Sequence, residues 1–229
     1  MSATNDRTAV LHLRGVFDPV LLRELRRYQS ARAAENAQSS MSAREQAAVS
    51  RGESSDAVRM DEKWYSVWLN PKHDLRDAIG EFTRVTYPVQ VRHVREVRHN
   101  VPWHQDIGYI KLLGARAHAQ IITCFIPLEE EPACCTTLQF AKGDRAEISH
   151  LPTGLFGAGV QLGLDVETFW YQLELGDALV FGDWALHRTW TPPAGRVERR
   201  SLEFRLIRTR DSMPGRDYFD ISEGRFIKT

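Results

Sequence analysis

The feature of this sequence that most constrains its fold is a series of short strand-like runs that begins after Pro88. Seven runs are rich in β-branched and aromatic residues: VQVRHVREV, HQDIGYI, AQIITCFIPL, TTLQFA, FWYQLE, DALVFGDWALH and RRSLEFRLI. Glycine, proline and charged clusters separate these runs, which is the pattern of strands joined by turns. The pattern predicts an antiparallel sheet that closes on itself or stacks against a second sheet.

A short strand and two helices are predicted ahead of this β-rich part. The first helix begins with Asp18 as its cap and Pro19 in its first turn. Its apolar residues recur at helical spacing, and they are Leu21, Leu22, Leu25 and Tyr28. The segment NPKHDLRDAIGEF repeats the cap and proline signal at Asn70 and Pro71, and its apolar face consists of Leu75, Ile79 and Phe82. The predicted fold class is therefore mainly β with flanking helices.

The sequence shows no internal repeat and no domain boundary, so we predict one domain over residues 1–229. Its N-terminal helices would span about 17–82 and its β core about 85–210. Residues 29–63 contain no aromatic side chain and are dominated by Ala, Ser, Glu, Arg and Gln. We expect this segment to be either a solvated helix or a mobile flap, and it is the candidate lid.

Charge and apolar composition exclude several classes of protein. Lys plus Arg and Asp plus Glu number 30 each, so no net charge attracts the chain to nucleic acid or to an anionic membrane. The sequence has no run of about 18 apolar residues and no apolar leader at its start. Its three cysteines form neither a disulfide framework nor a CxxC motif. These features predict a cytoplasmic protein.

The segment WHQD contains the first two candidate metal ligands. In an extended segment His104 and Asp106 point the same way and can bind one ion together. The third candidate is His187, which follows a Gly-Asp turn and an apolar strand in LELGDALVFGDWALHRTW. Two histidines and one carboxylate are the ligand set of non-haem Fe(II) sites that keep open positions for a cosubstrate and dioxygen.

The run RRSLEFRLI has two chemically different faces if it is a strand. Leu202, Phe204 and Leu206 share one face with Arg200 and should pack against the helices. The other face, with Arg199, Ser201, Glu203 and Arg205, should then point to the interior. A buried arginine needs an anionic partner, and a dicarboxylate suits it because guanidinium binds carboxylate in a bidentate manner. We favour Arg199 for this role and keep Arg200 as the alternative one residue away, whereas Arg205 either meets substrate or pairs with an acid such as Glu203.

These motifs resemble those of the phytanoyl-CoA dioxygenase (PhyH-like) family of Fe(II)/2-oxoglutarate oxygenases. The similar segments are VFDPVLLRELR, WHQD, and GDALVFGDWALHRT followed by RRSLEFR. The resemblance implies a double-stranded β-helix (a jelly-roll, cupin-like core) with iron held at His104, Asp106 and His187. It also implies a 2-oxoglutarate salt bridge to Arg199 and further cosubstrate contacts at Thr189 and Gln90. The segment EEEPACCTTLQFAKGD and Phe125 depart from the family pattern, so the family's substrates do not carry over.

The function implied by the resemblance is that of an Fe(II)-, 2-oxoglutarate- and O2-dependent dioxygenase. Such an enzyme would hydroxylate an unactivated C–H of a small-molecule metabolite or biosynthetic intermediate and release succinate and CO2, with desaturation or ring formation left open. Asp106 argues against halogenation, because halogenating relatives replace that carboxylate with a small residue. One alternative is a cupin-like metal-binding protein that does not use 2-oxoglutarate. Another is nucleic-acid dealkylation, against which the zero net charge argues.

Overall fold

The computed structural model describes residues 6–36, 56–59, 73–86, 89–97, 100–108, 120–143, 148, 160, 166–211 and 217–228. Among these residues the helices with stated bounds are α1 (Pro19–Asn36), α2 (His73–Ile79) and the 3₁₀ turn Pro132–Cys134. The strands, in chain order, are β1 (Val10–Leu13), β2 (Asp56–Arg59), β3 (Arg84–Thr86), β4 (Gln90–Val94), β5 (Ile121–Pro127), β6 (Thr137–Ala141), β7 (Thr168–Trp170), β8 (Ala178–Gly182), β9 (His187–Trp190), β10 (Arg199–Ile207), β11 (Tyr218–Asp220) and β12 (Arg225–Ile227).

These strands form a large and a small antiparallel sheet. The large sheet has the order β1-β8-β5-β10-β3-β11-β12, and β4 pairs with the other half of β10 and carries β2 at its edge. The small sheet has the order β7-β6-β9. Mainly β architecture with flanking helices and a jelly-roll core is therefore confirmed. Strands β11 and β12 extend the large sheet beyond the predicted end of the core.

Strand β10 is the centre of the large sheet and shows the predicted alternation. Leu202, Phe204 and Leu206 are buried in an apolar cluster with residues of both helices. The helical members of that cluster are Leu22, Leu25, Leu75, Ile79 and, just after α2, Phe82. The side chains of Arg199, Ser201 and Glu203 lie on the opposite, interior face. The helices thus cover one face of the large sheet because the period-2 pattern of β10 turns its apolar residues towards them.

The start of α1 agrees with its predicted cap. The backbone N–H of Val20 donates to Oδ1 of Asp18 at 2.8 Å, and Pro19 is the first helical residue. The helix begins there because the aspartate accepts a hydrogen bond that the first turn cannot satisfy internally. The corresponding cap at Asn70 and Pro71 lies outside the described residues.

A second apolar cluster fills part of the space between the two sheets. Its fully enclosed aromatic residues come from both sheets, namely Phe125 on β5, Phe140 on β6 and Phe181 on β8. Phe140 and Phe181 also contact the ring of His187, with centroid distances of 5.8 and 4.7 Å. The interior therefore has an apolar half beside the strands β5, β6 and β8 and a charged half along β10.

The candidate lid is only partly described. Residues 29–36 continue α1, and β2 pairs antiparallel with β4, Arg59 lying opposite Gln90. Residues 37–55 and 60–63 lie outside the described residues, so the lid stays a prediction. No helix within the described ranges has the length and apolar character needed to cross a membrane.

Candidate metal centre

The three predicted ligands come together between the two sheets. Ligand atoms of His104, Asp106 and His187 all lie within 4.8 Å of one another, so the group can hold a metal ion. Nε2 of His104 is 3.8 Å from Oδ1 of Asp106, and the two imidazole centroids are 4.2 Å apart. Three donors this close together can share one ion.

The two histidines are joined through their backbones. The N–H of His104 donates to the carbonyl of His187 at 2.9 Å, and the N–H of His187 donates to the carbonyl of His104 at 3.0 Å. This isolated antiparallel bridge brings the WHQD segment to the first residue of β9. The apolar run before His187 is interrupted, because β8 ends at Gly182 and a turn precedes β9.

The local backbone after His104 differs from the expected strand. Residues 106–108 are helical, so the prediction that HQDIGYI is one strand-like run is wrong, although His104 and Asp106 do lie together as predicted. The N–H of Ile107 donates to the carbonyl of Asp183 at 3.1 Å, outside any ladder. Contacts with the β8–β9 turn, rather than strand periodicity, therefore place Asp106 beside the histidines.

Each imidazole is oriented by a backbone carbonyl. Nδ1 of His104 lies 2.8 Å from the carbonyl oxygen of Pro102, and Nδ1 of His187 lies 2.8 Å from that of Ala185. A carbonyl only accepts, so Nδ1 carries the hydrogen and Nε2 presents its lone pair to the site. Burial, with help from His187, lowers the pKa of His104 to about 3, and burial also lowers the pKa of His187. Both rings are therefore neutral and ready to bind a metal at neutral pH.

The carboxylate of Asp106 is held by the large sheet. The hydroxyl of Thr123 on β5 donates to Oδ2, and Nη2 of Arg205 on β10 donates to Oδ1 at 3.1 Å. Burial would favour the protonated acid, but Arg205, the two histidines and Thr123 outweigh it, and the pKa of Asp106 lies below its usual value. The third ligand is thus an anion at neutral pH.

Arg199 lies on the interior face as predicted, and it is only 1% exposed. Its Nη2 is 3.5 Å from Oε1 of Glu203, and its Cζ lies 5.0 Å from the ring centroid of Phe125. Within the described part of the chain, its Nε and Nη1 are buried and have no hydrogen-bond partner. Burial, partly opposed by Glu203, lowers the pKa of Arg199 to about 10. A buried cation with unpartnered donors is suited to bind an anionic group.

Arg200 lies on the other face of β10 and already has anionic partners. Its Nη1 is 3.2 Å from Oε1 of Glu129, and its Nη2 is 3.4 Å from Oε1 of Glu198. Glu129 also pairs with Arg26 of α1 at 2.9 Å, on the side of the sheet that the helices cover. Only Nε of Arg200 lacks a partner among the described residues.

The two other residues predicted to contact the cosubstrate are Thr189 and Gln90. Thr189 is buried on the same face of β9 as His187, and its Oγ1 accepts a hydrogen bond from the N–H of Val101 at 3.1 Å. Gln90 is opposite Glu203 in the pairing of β4 with β10, but its side chain lies outside what the structure describes. Their contacts with a cosubstrate stay predictions.

Sequence reasoning missed several residues that shape this centre. Thr123 contacts Asp106, and the alternation of AQIITCFIPL would have placed it on the interior face beside Phe125. Arg92 on β4 contacts Glu203 at 3.3 Å. The side chain of Arg7 makes a bidentate pair with buried Asp183 in the turn before His187. No local pattern indicated that distant pair.

Comparison with known proteins extends only to the fold. No protein-family model and no curated protein sequence matches the chain. Among solved structures it is similar to the non-heme monooxygenase ThoJ (13% identity, 92% of this chain and 78% of that chain, TM-score 0.64). It is also similar to SnoN, a non-heme alpha-ketoglutarate-dependent epimerase from nogalamycin biosynthesis (15% identity, 93% of this chain and 81% of that chain, TM-score 0.60). A third similar structure is that of EvdO2 from Micromonospora carbonacea var. aurantiaca, complexed with 2-oxoglutarate (16% identity, 93% of this chain and 92% of that chain, TM-score 0.59).

Proposed function

We propose that the chain is an Fe(II)- and 2-oxoglutarate-dependent dioxygenase related to the PhyH-like family. The observation that carries the proposal is the buried guanidinium of Arg199, whose Nε and Nη1 have no partner in the described structure. It lies on the same face of β10 as Arg205, which contacts the ligand Asp106. A site with three metal ligands and a buried cation on the same interior face suits a metal-chelating dicarboxylate.

The side chains of this site are chemically suited to hold Fe(II) and 2-oxoglutarate. Nε2 of each histidine and a carboxylate oxygen of Asp106 would hold Fe(II), and Arg199 would bind the distal carboxylate of 2-oxoglutarate. Thr189 and Gln90 are proposed as additional cosubstrate contacts. Bound there, iron and 2-oxoglutarate would supply the O2 activation that hydroxylates a C–H bond with release of succinate and CO2. The apolar residues Phe125, Phe140 and Phe181 would exclude water from that chemistry.

The proposed substrate is a small-molecule metabolite or biosynthetic intermediate. SnoN, which has the same fold, has been crystallised with Fe3+, alpha-ketoglutarate and nogalamycin RO. That likeness supports an interior large enough for such ligands in this type of fold. The choice between hydroxylation and another oxidative outcome depends on where the substrate carbon is held relative to the metal.

The proposal is tested by anaerobic titration of metal-free protein with Fe(II) and then 2-oxoglutarate. We expect a visible metal-to-ligand charge-transfer band that is absent in His104→Ala. In Arg199→Met the band should require about tenfold more 2-oxoglutarate or worse. Arg200→Met is the matched control and should behave like wild type, because Arg200 lies on the opposite face. Iron binding without a band in wild type would contradict the proposal.

A cupin-like metal-binding protein that does not use 2-oxoglutarate is the second candidate. One observation favours it, since Glu203 already gives Arg199 an anionic neighbour at 3.5 Å. If that pair is the whole purpose of Arg199, then wild-type protein will bind iron but form no charge-transfer band with 2-oxoglutarate. The same titration therefore decides between the two candidates.

A further inference from the structure

The carboxylate of Glu203 lies against the cation that we propose for cosubstrate binding. Its Oε1 is 3.5 Å from Nη2 of Arg199, and the hydroxyl of Ser201 donates to the same oxygen at 3.1 Å. The three residues alternate along β10 and therefore share its interior face. Glu203 thus occupies, from within the chain, a position from which an external carboxylate could accept hydrogen bonds from Arg199.

The pair formed by Arg199 and Glu203 is incomplete. Its 3.5 Å separation is long for a charge-assisted hydrogen bond, which is usually about 2.8 Å. Nε and Nη1 of Arg199 are buried and have no partner among the described residues. A free dicarboxylate can adjust its position to the guanidinium, whereas Glu203 is fixed to the same strand four residues away. An external carboxylate is therefore better able to satisfy Arg199 than Glu203 is.

Glu203 has a second cation that allows it to give way. Nη1 of Arg92 lies 3.3 Å from its Oε2, so Oε1 can leave Arg199 while the carboxylate keeps a positive partner. The side chain of Glu203 is 14% exposed and that of Arg199 is 1% exposed, so the carboxylate is the more accessible of the two. A dicarboxylate that reaches Arg199 must either displace Oε1 or lie beside a like charge, and both reduce its affinity.

We infer that Glu203 competes with the distal carboxylate of 2-oxoglutarate for Arg199 and so sets the affinity of this site for dicarboxylates. The inference rests on the proposed function and deepens it, because it makes Glu203 an affinity-determining residue for the cosubstrate. Succinate lacks the 2-oxo group that chelates a metal, so competition from Glu203 would help the product to leave.

Glutarate and metal-free full-length protein provide the test, because glutarate has the carboxylate spacing of 2-oxoglutarate but no 2-oxo group. We expect titration calorimetry to give a dissociation constant about tenfold lower in Glu203→Gln than in wild type, since a like charge is removed. The 2-oxoglutarate concentration that half-saturates the charge-transfer band should fall by the same factor. Arg199→Met should abolish the gain when the two changes are combined.

Glu198→Gln is the matched control, because it removes the same charge one residue before Arg199. The side chain of Glu198 is 57% exposed and contacts Arg200, so this variant should bind glutarate as wild type does. If Glu203→Gln fails to fold, Glu203→Asp keeps a carboxylate for Arg92 while drawing it back from Arg199. Glu203→Asp should also bind glutarate more tightly than wild type.

Several results would overturn the inference. Unchanged or weaker glutarate binding in the folded Glu203 variant, or no detectable binding in it, would show that Glu203 does not compete for Arg199. A gain that persists in the presence of Arg199→Met would place the effect at another cation. The proposed function fails separately, when wild type binds Fe(II) but forms no charge-transfer band with 2-oxoglutarate, whatever the glutarate titrations give.

Discussion

Thr123 donates its hydroxyl hydrogen to Oδ2 of Asp106, and it does so from the strand position directly opposite Arg205. Arg205 donates to the other carboxylate oxygen at 3.1 Å. Two neighbouring strands of the large sheet thus hold the carboxylate, while His187 begins a strand of the small sheet. The metal centre depends on the two sheets keeping their relative position.

Replacing Thr123 tests how strongly the large sheet orients Asp106. We expect Thr123→Val to weaken Mn(II) binding by about tenfold, because the carboxylate loses one of two hydrogen bonds that orient it. Thr123→Ser keeps the hydroxyl and should bind Mn(II) nearly as wild type does. Titration followed by the electron paramagnetic resonance signal of free Mn(II) measures both. Equal affinities in the two variants would mean that Arg205 alone orients Asp106.

Removing either histidine of the centre should abolish specific metal binding. We expect His104→Ala and His187→Ala to weaken Mn(II) binding by about 100-fold or more, because two ligands cannot hold a labile divalent ion against water. His93→Gln is the control, since His93 is buried on β4 beside Glu198 and outside the triad. The same titration measures the effect. Retained affinity in both alanine variants would place the metal elsewhere.

The pair between Arg7 and Asp183 should stabilise the turn before His187. Burial raises the pKa of Asp183 and Arg7 opposes that rise. In Arg7→Met the buried carboxylate loses its counter-ion, so we expect a loss of about 3 kcal/mol in the free energy of unfolding at neutral pH. At low pH Asp183 is protonated in both the folded and the unfolded protein, so its charge no longer needs Arg7. The difference in the free energy of unfolding between wild type and Arg7→Met should therefore shrink towards a pH of about 4.

Urea unfolding of Arg7→Met at several pH values measures this dependence. Arg14→Met is the control, because Arg14 is an exposed arginine in the same N-terminal region. A loss that is equal at all pH values would show that Arg7 acts through packing on Trp184, 4.3 Å from its guanidinium, rather than through charge.

The neutral histidines predict a pH dependence of stability in the metal-free protein. Burial lowers the folded-state pKa of His104 from 6.5 to about 3, so the unfolded chain binds more protons between those pH values. The free energy of unfolding should therefore fall as pH falls from about 7 to about 5. In His104→Gln the slope should be smaller by up to about 1.4 kcal/mol per pH unit. Chemical denaturation in the presence of a chelator measures the slopes, and identical slopes would contradict the lowered pKa.

Several elements could be predicted from the sequence because their signals are local. The period-2 pattern of RRSLEFRLI places Arg199 inside and Leu202 against the helices, and the structure agrees. The capping Asp18 and the stripe through Leu22 and Leu25 likewise depend only on residues a few positions apart. The identities of the three ligands also came from the sequence, through their residue types and order.

The arrangement of the ligands was decided by tertiary structure alone. The WHQD segment turns helical at Asp106, Ile107 donates its N–H to the carbonyl of Asp183, and His104 pairs with His187. Thr123 and Arg205 then orient the carboxylate from β5 and β10. The sequence by itself determined which residue types are available and which face of a strand they share, since side-chain periodicity is a property of neighbouring residues. It could not determine these partners, because a hydrogen bond between distant segments leaves no periodic pattern in either of them.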